Sequence, residues 1–159
     1  MKLLDTKTKN SVLQSMINYL DNDREAIIAA NKKDLEAFSS DDQALYERLI
    51  VDNKKVDDMI RAVREVKEQD DPVGKTISDD TLENGLKITN KTAPFGTIMI
   101  IYESRPDVTI EAAVLAFKAN NKILLKGGRE AHNSNEELVK CWHKALADNN
   151  LEADWIQYM

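Results

Sequence analysis

Two cations flanking a glycine pair, and a third cation beside a serine, are the residues of this chain best placed for chemistry. Lys126 and Arg129 bracket Gly127-Gly128 in Ile123-Leu124-Leu125-Lys126-Gly127-Gly128-Arg129-Glu130-Ala131, and Arg105 stands in Tyr102-Glu103-Ser104-Arg105-Pro106. A glycine pair where a strand turns toward a helix removes two side chains and lets a ligand approach the backbone. Arginine offers a planar fork of donors that matches a phosphate. Ser104 adds a hydroxyl, and Pro106 stiffens the turn after Arg105. The chain carries a formal net charge of −6, so three cations at one strand edge suit an anionic, phosphate-bearing ligand. The glycine-rich dinucleotide fingerprint is absent, and these residues alone define no reaction.

Other reactive residue types lack the company that chemistry needs. Cys141 lies inside a helical pattern between Lys140 and Trp142, with no glycine turn or neighbouring base to activate a thiol. His132 and His143 are eleven residues apart with no further ligand at metal spacing, so no metal site is expected. Glu103 is read as an acid or base, or as a salt-bridge partner of Arg105 or Lys126. Trp142 and Trp155 are expected in the core.

The elements that must position these residues follow from periodicity. Residues 8–69 read as helices. Val12, Leu13, Met16, Ile17 and Leu20 recur at helical spacing. Asn22 or Asp23 caps a second helix, whose apolar residues are Ile27, Ile28, Leu35 and Phe38. Ser39-Ser40-Asp41-Asp42 breaks it and caps a short third helix around Leu45, Leu49 and Ile50. Val56, Met59, Ile60, Val63 and Val66 form the cleanest stripe.

After Pro72 the period changes to two. Residues 86–92 alternate as a strand with one exposed face, and Asn84-Gly85 marks a hairpin turn pairing them with 77–82. Residues 97–102 form an apolar, β-branched run expected of a strand buried on both faces. A helix over 108–120, a second buried strand over 122–126, a helix capped by Ser134 or Asn135 with Glu136 and Glu137 complementing its dipole, and a third strand over 155–159 complete the chain. The β-α-β-α-β order predicts an α/β fold: N-terminal helices, a β-hairpin arm and a Rossmann-like parallel sheet. The parts divide as 1–72, 73–93 and 94–159. Ligands of such sheets bind at the carboxyl ends of the strands, where the 102–106 and 126–130 turns fall together.

Composition bounds the classes. With 159 residues, 42% of them hydrophobic, the chain suits one domain. Its negative charge speaks against nucleic acid and anionic membrane as partners. No apolar run reaches the roughly 20 residues that span a bilayer, and Met1-Lys2-Leu3-Leu4-Asp5 turns polar too early for a signal peptide. With a single cysteine no internal disulfide can form. A cytoplasmic location is expected.

Pro94-Phe95-Gly96-Thr97-Ile98-Met99-Ile100-Ile101-Tyr102-Glu103-Ser104-Arg105-Pro106-Asp107-Val108-Thr109 resembles the signature of the γ-glutamyl phosphate reductase family, as does the run from Ile123 to Ala131. Ala30-Asn31-Lys32-Lys33-Asp34, Glu47-Arg48-Leu49, Asp71-Pro72-Val73-Gly74 and Gly85-Leu86 add matches in the family's order. The resemblance implies an aldehyde dehydrogenase-like fold and NADPH-dependent reduction of γ-glutamyl phosphate to glutamate 5-semialdehyde in proline biosynthesis. A cysteine thioester would form in a later domain, so this chain reads as an N-terminal part without activity of its own. By the same resemblance Lys126 meets the adenosine ribose, with Gly127 and Gly128 in the cofactor turn. Arg129 replaces the glutamate of NAD-preferring relatives and so favours the 2′-phosphate of NADP. Ser104 falls about at the oxyanion-stabilising position, a role for its hydroxyl or for a nearby backbone N–H, and Ser104 and Arg105 face the substrate. Asp107 departs from the family's asparagine and is expected to cap the helix beginning at Val108. A homo-oligomer, dimer or tetramer, joined through the hairpin arm is implied. The alternative is a non-catalytic nucleotide-binding or interaction module, with the helices of 8–69 as a docking bundle.

Overall fold

The computed structural model describes residues 3–159. Four helices come first: α1 (Thr6–Asn22), α2 (Arg24–Ala37), α3 (Gln43–Leu49) and α4 (Asn53–Glu68). The hairpin β1 (Thr76–Thr81) and β2 (Lys87–Lys91) follows, then β3 (Thr97–Ile101), α5 (Pro106–Lys118), β4 (Lys122–Lys126), α6 (His132–Asp148) and β5 (Ile156–Tyr158). Strands β3, β4 and β5 form one parallel sheet in that order, with Met99 opposite Leu124 and Leu124 opposite Gln157. The expected α/β class and the hairpin are both present.

The apolar stripes bury as their spacing dictates. Val12, Leu13, Met16, Ile17 and Leu20 of α1 meet Val56, Met59, Ile60 and Val63 of α4, and the same core takes in Phe117 of α5 and Trp142 of α6. The helices of 1–72 and the sheet's crossover helices thus share one core. Trp155 packs edge-on against Phe117, ring centroids 5.6 Å apart. An ion pair from the buried Lys9 Nζ to the partly buried Asp71, at 2.9 Å, fixes the connection after α4 to α1. No helix among the described residues is long and apolar enough to cross a membrane.

Both crossover helices end in the same device. Asn120 and Asn150 take left-handed φ values of 59° and 56°, a conformation that asparagine tolerates better than most residues. After α5 the Asn120 and Asn121 amides donate to the carbonyls of Phe117 and Ala116 at 2.9 and 2.8 Å, closing a Schellman turn. The turn after α6 repeats the pattern, with Asn150 and Leu151 donating to Ala147 and Leu146.

Several expectations need correction. The β3 run is not buried on both faces: Met99 is 49% and Ile101 74% exposed, while Ile98 and Ile100 turn inward. Strands in sequential order joined by right-handed crossovers carry both helices on one face, which leaves the other face bare. The hairpin has no packed face, since every residue of β1 and β2 is exposed. Helix α5 starts at Pro106, not Val108, with Arg105 as its N-cap; proline is well suited to a first helical position. Asp107 therefore lies inside the first turn. Helix α6 starts at His132, so Ser134 and Asn135 are buried within it and Glu136 and Glu137 lie past its first turn. In α2 the residues buried beside Ile27 and Ala30 are Asn31 and Asp34, and Ile28, Leu35 and Phe38 are only partly covered.

Candidate functional site

The carboxyl ends of β3 and β4 bring the two sequence-marked turns side by side. The Tyr102 amide donates to the Lys126 carbonyl at 3.0 Å, extending the ladder beyond the strands. Two residues further on, the Ser104 hydroxyl donates to Glu130 Oε2 at 2.8 Å. Ser104 is only 2% exposed. Its hydroxyl proton is engaged within the protein rather than turned toward an open site.

The glycine pair is explained by these contacts. A Cβ on Gly127 would stand 2.3 Å from Asn135 Nδ2 and 3.2 Å from the Tyr102 ring. One on Gly128 would stand 2.7 Å from both Ser104 Oγ and Glu130 Oε2. The space freed by the two glycines is thus occupied by the protein's own side chains. Behind it runs a polar chain: Tyr102 Oη and Thr109 Oγ1 share a hydrogen bond of 2.7 Å, Thr109 donates to Asn135 Oδ1 at 2.8 Å, and Asn135 Nδ2 reaches Tyr158 Oη at 3.4 Å. These residues come from the ends of β3 and β5 and from α5 and α6. Burial pushes the Tyr102 hydroxyl up to about 12, against the pull of its Thr109 hydrogen bond, so it stays protonated near neutrality.

The charged groups have partners that sequence did not foresee. Glu103 pairs at 3.5 Å with Arg48 of α3, not with Arg105 or Lys126. Arg105 is half exposed and lies 3.3 Å from Asp107, which is buried and bonded at 2.9 Å to Lys55 of α4. Burial pushes the Asp107 carboxyl up, but the Lys55 and Arg105 partners outweigh it and hold it below the usual range. Asp107 is therefore an ion-pair centre tying α5 to α4 rather than the helix cap. Glu130 is also held below the usual carboxylate range, first by its own backbone amide, then by the Ser104 hydroxyl.

Lys126 and Arg129 have different surroundings. Lys126 Nζ donates to the Met159 carbonyl at 3.3 Å, past the end of β5. Arg129 is exposed and lines an open groove of about 360 Å³ with Phe38, Ser39 and Ser40 after α2 and His132 at the start of α6. Arg129 makes no ion pair within 4 Å among the described residues, although Asp34 and Glu130 line the same groove and its charge helps to hold the Glu130 carboxyl low. Cys141 is buried, and burial together with the Asp23 carboxylate raises its thiol to about 12, which leaves it inert.

Sequence reasoning assigned no role at the site to Asp34, Lys55, Glu130 or Thr109, and read Asn135 only as a helix cap. One signal was available: Asn31 and Asp34 continue the Ile27 and Ala30 stripe at helical spacing, and polar residues on a core stripe need buried partners.

No protein-family model matches the chain. Aligned over 156 residues, 97% of its length, it is 41% identical to the gamma-glutamyl phosphate reductase of Tolumonas auensis. This chain is similar, end to end, to the N-terminal part of gamma-glutamyl phosphate reductase. The crystal structure of the Thermotoga maritima gamma-glutamyl phosphate reductase superposes with a TM-score of 0.91 at 36% identity over 98% of this chain. A putative aldehyde dehydrogenase from Bacillus subtilis shares the fold, with a TM-score of 0.73 at 17% identity over 98% of this chain and 32% of that one. The chain spans only 37% of the Tolumonas gamma-glutamyl phosphate reductase and 38% of the Thermotoga chain.

Proposed function

We propose that this chain is the N-terminal, cofactor-binding part of a cytoplasmic NADPH-dependent γ-glutamyl phosphate reductase acting in proline biosynthesis. The observation that carries the reading is the end-to-end similarity to enzymes of that name. The juxtaposition of the Ser104-Arg105 and Lys126–Arg129 turns at the carboxyl ends of parallel strands supports it, since ligands of such sheets bind there. The residues present fit the cofactor. Arg129, exposed on an open groove and without an ion-pair partner among the described residues, suits a 2′-phosphate; Lys126 suits a ribose hydroxyl. Arg105, half exposed, suits a carboxylate or phosphate of γ-glutamyl phosphate. Ser104, whose proton goes to Glu130, suits a structural role at the substrate turn better than direct donation to an oxyanion.

Held by Lys126 and Arg129, NADPH would supply the hydride. Cys141, buried and protonated, does not suit the thiol that would carry the glutamyl group as a thioester, which supports a nucleophile supplied by another part of the enzyme. The chain alone is therefore expected to bind cofactor without turning over. The exposed hairpin, with Ile77, Leu82, Leu86 and Ile88 uncovered, supports an arm that joins copies into a dimer or tetramer, because an isolated two-stranded hairpin is marginally stable in water.

Titrating the chain with NADPH and NADH, as wild type and as Arg129→Glu, tests the cofactor reading. NADPH preferred by wild type, with that preference lost in the variant by about tenfold or more, is the expected result. Equal affinity for both cofactors in both proteins would sink it.

A further inference from the structure

We infer that Glu130 is a positioning residue that holds the substrate-side turn, 102–106, in register with the cofactor-side turn, 126–130. The inference rests on the proposed function for what binds at each turn, but its geometry does not depend on it. Ser104 is buried, and its hydroxyl bonds to Glu130 Oε2 at 2.8 Å. Gly128 lies so close that an added Cβ would crowd both atoms of that bond at 2.7 Å and the Ser104 amide at 3.3 Å. The contact therefore needs glycine at 128, serine at 104 and a side-chain acceptor oxygen at 130 together. The side chain of Glu103, the residue before Ser104, makes an exposed pair with Arg48, which is worth little. Glu130 is itself exposed, but the Ser104 end of the bond is buried, and this charge-assisted bond is the side-chain link that joins the two turns.

The same geometry supplies a relay. Arg129 and Glu130 are consecutive in the short 3-10 turn Arg129–Ala131 that leads into α6. An anion drawn to the Arg129 guanidinium fixes the backbone of that turn. Through Glu130 it fixes the Ser104 side chain, and with it the Ser104-Arg105 segment. A cofactor bound on one strand end thus orders the substrate turn on the next without touching it, a coupling between sites through one shared element.

Amide hydrogen exchange of the 159-residue chain, residue by residue, tests this in wild type, Glu130→Ala, Glu130→Gln, Ser104→Ala and the double variant Ser104→Ala/Glu130→Ala. Exchange at Glu103, Ser104 and Arg105 is expected to rise about tenfold in either alanine variant and no further in the double variant. Glu130→Gln, whose amide oxygen still accepts from Ser104, is expected to restore most of the protection. Adding NADPH is expected to slow exchange at those three amides in wild type and to leave them unchanged in Glu130→Ala. Unaltered exchange in Glu130→Ala, or two effects that simply multiply in the double variant, would overturn the positioning role. NADPH that protects Arg129 but leaves the 102–106 turn untouched in wild type would overturn the relay. So would equal NADPH protection of that turn in wild type and Glu130→Ala. If NADPH does not bind wild type at all, the cofactor reading and its relay fall, and the comparison of variants still decides the positioning role.

Discussion

Asp34 of α2 caps α6 at Ser134, 100 residues further along the chain. Its Oδ2 accepts from the Ser134 amide at 2.7 Å, and Oδ1 accepts from the Asn133 amide and side chain at 3.0 and 2.7 Å. The Ser134 hydroxyl donates to the same carboxylate and accepts from Asn31 Nδ2 at 3.0 Å. A negative group at a helix N-terminus satisfies open amides and complements the dipole. Replacing Asp34 with alanine strands four donors, the two of Ser134 buried and the two of Asn133 partly so, and Asp34→Ala is expected to cost about 2–4 kcal/mol. Asp34→Asn, which keeps one acceptor oxygen, is expected to cost clearly less. Urea denaturation of the two variants checks this; equal losses would mean that the charge, not the hydrogen-bond count, sets the cap's strength.

That cap marks the limit of what could be read in the chain. The α4 stripe was legible because Val56, Met59, Ile60, Val63 and Val66 repeat within one helix, and all five are buried. The start of α6 was not legible, because its cap comes from another helix and local sequence offered Ser134 and Asn135 instead. The bare face of β3 was also hidden, since Met99 and Ile101 are as apolar as their buried neighbours, and only strand order leaves them uncovered. The site shows the same division. Both turns and their cations stand out in sequence, whereas the Ser104–Glu130 and Asp107–Lys55 pairs join residues 26 and 52 positions apart.

Asp107 gives the fold an acid sensitivity with a defined sign. Its carboxyl is held below the usual value in the folded chain, despite burial, by Lys55 and then Arg105. A depressed carboxyl contributes stability above its unfolded value, and that contribution is lost as the pH falls through the folded value. Stability is therefore expected to decline as pH drops below about 4, with less decline in Asp107→Asn. At neutral pH Lys55→Met, which leaves the carboxylate with Arg105 alone, is expected to cost about 1–3 kcal/mol. Denaturation midpoints between neutral pH and pH 3 measure both; an Asp107→Asn profile parallel to wild type would remove Asp107 from the account.

The glycine pair is expected to matter for packing before any ligand is added. Neither residue has the positive φ that favours glycine. Gly127→Ala puts a methyl carbon 2.3 Å from Asn135 Nδ2, and the amide can retreat only by giving up Thr109 or Tyr158. A loss of about 1–3 kcal/mol is expected. Adding Asn135→Ala to Gly127→Ala removes the clash, so the double variant is expected to be more stable than the sum of the single losses predicts. Strict additivity of the two would show that the contact is not what demands glycine.

Cys141 provides a final check on the proposal that the thiol of the proposed reaction is not this one. The thiol is buried in α6, with Asp23 Oδ2 3.7 Å away and Lys144 bonded to the same carboxylate at 2.6 Å. Burial and then the Asp23 charge raise it to about 12, with Lys144 pulling the other way. Only the thiolate attacks an alkylating reagent, and at pH 8 a thiol of that kind is almost wholly protonated. Relative to an ordinary cysteine the thiolate fraction is lower by about a thousandfold, before steric protection is counted. Iodoacetamide at pH 8 is therefore expected to leave native Cys141 unmodified over the time in which it labels the urea-unfolded chain completely. Labelling of the folded chain at a rate close to that of the unfolded one would mean that α6 opens readily at Cys141, and the exclusion of this thiol from catalysis would have to be withdrawn.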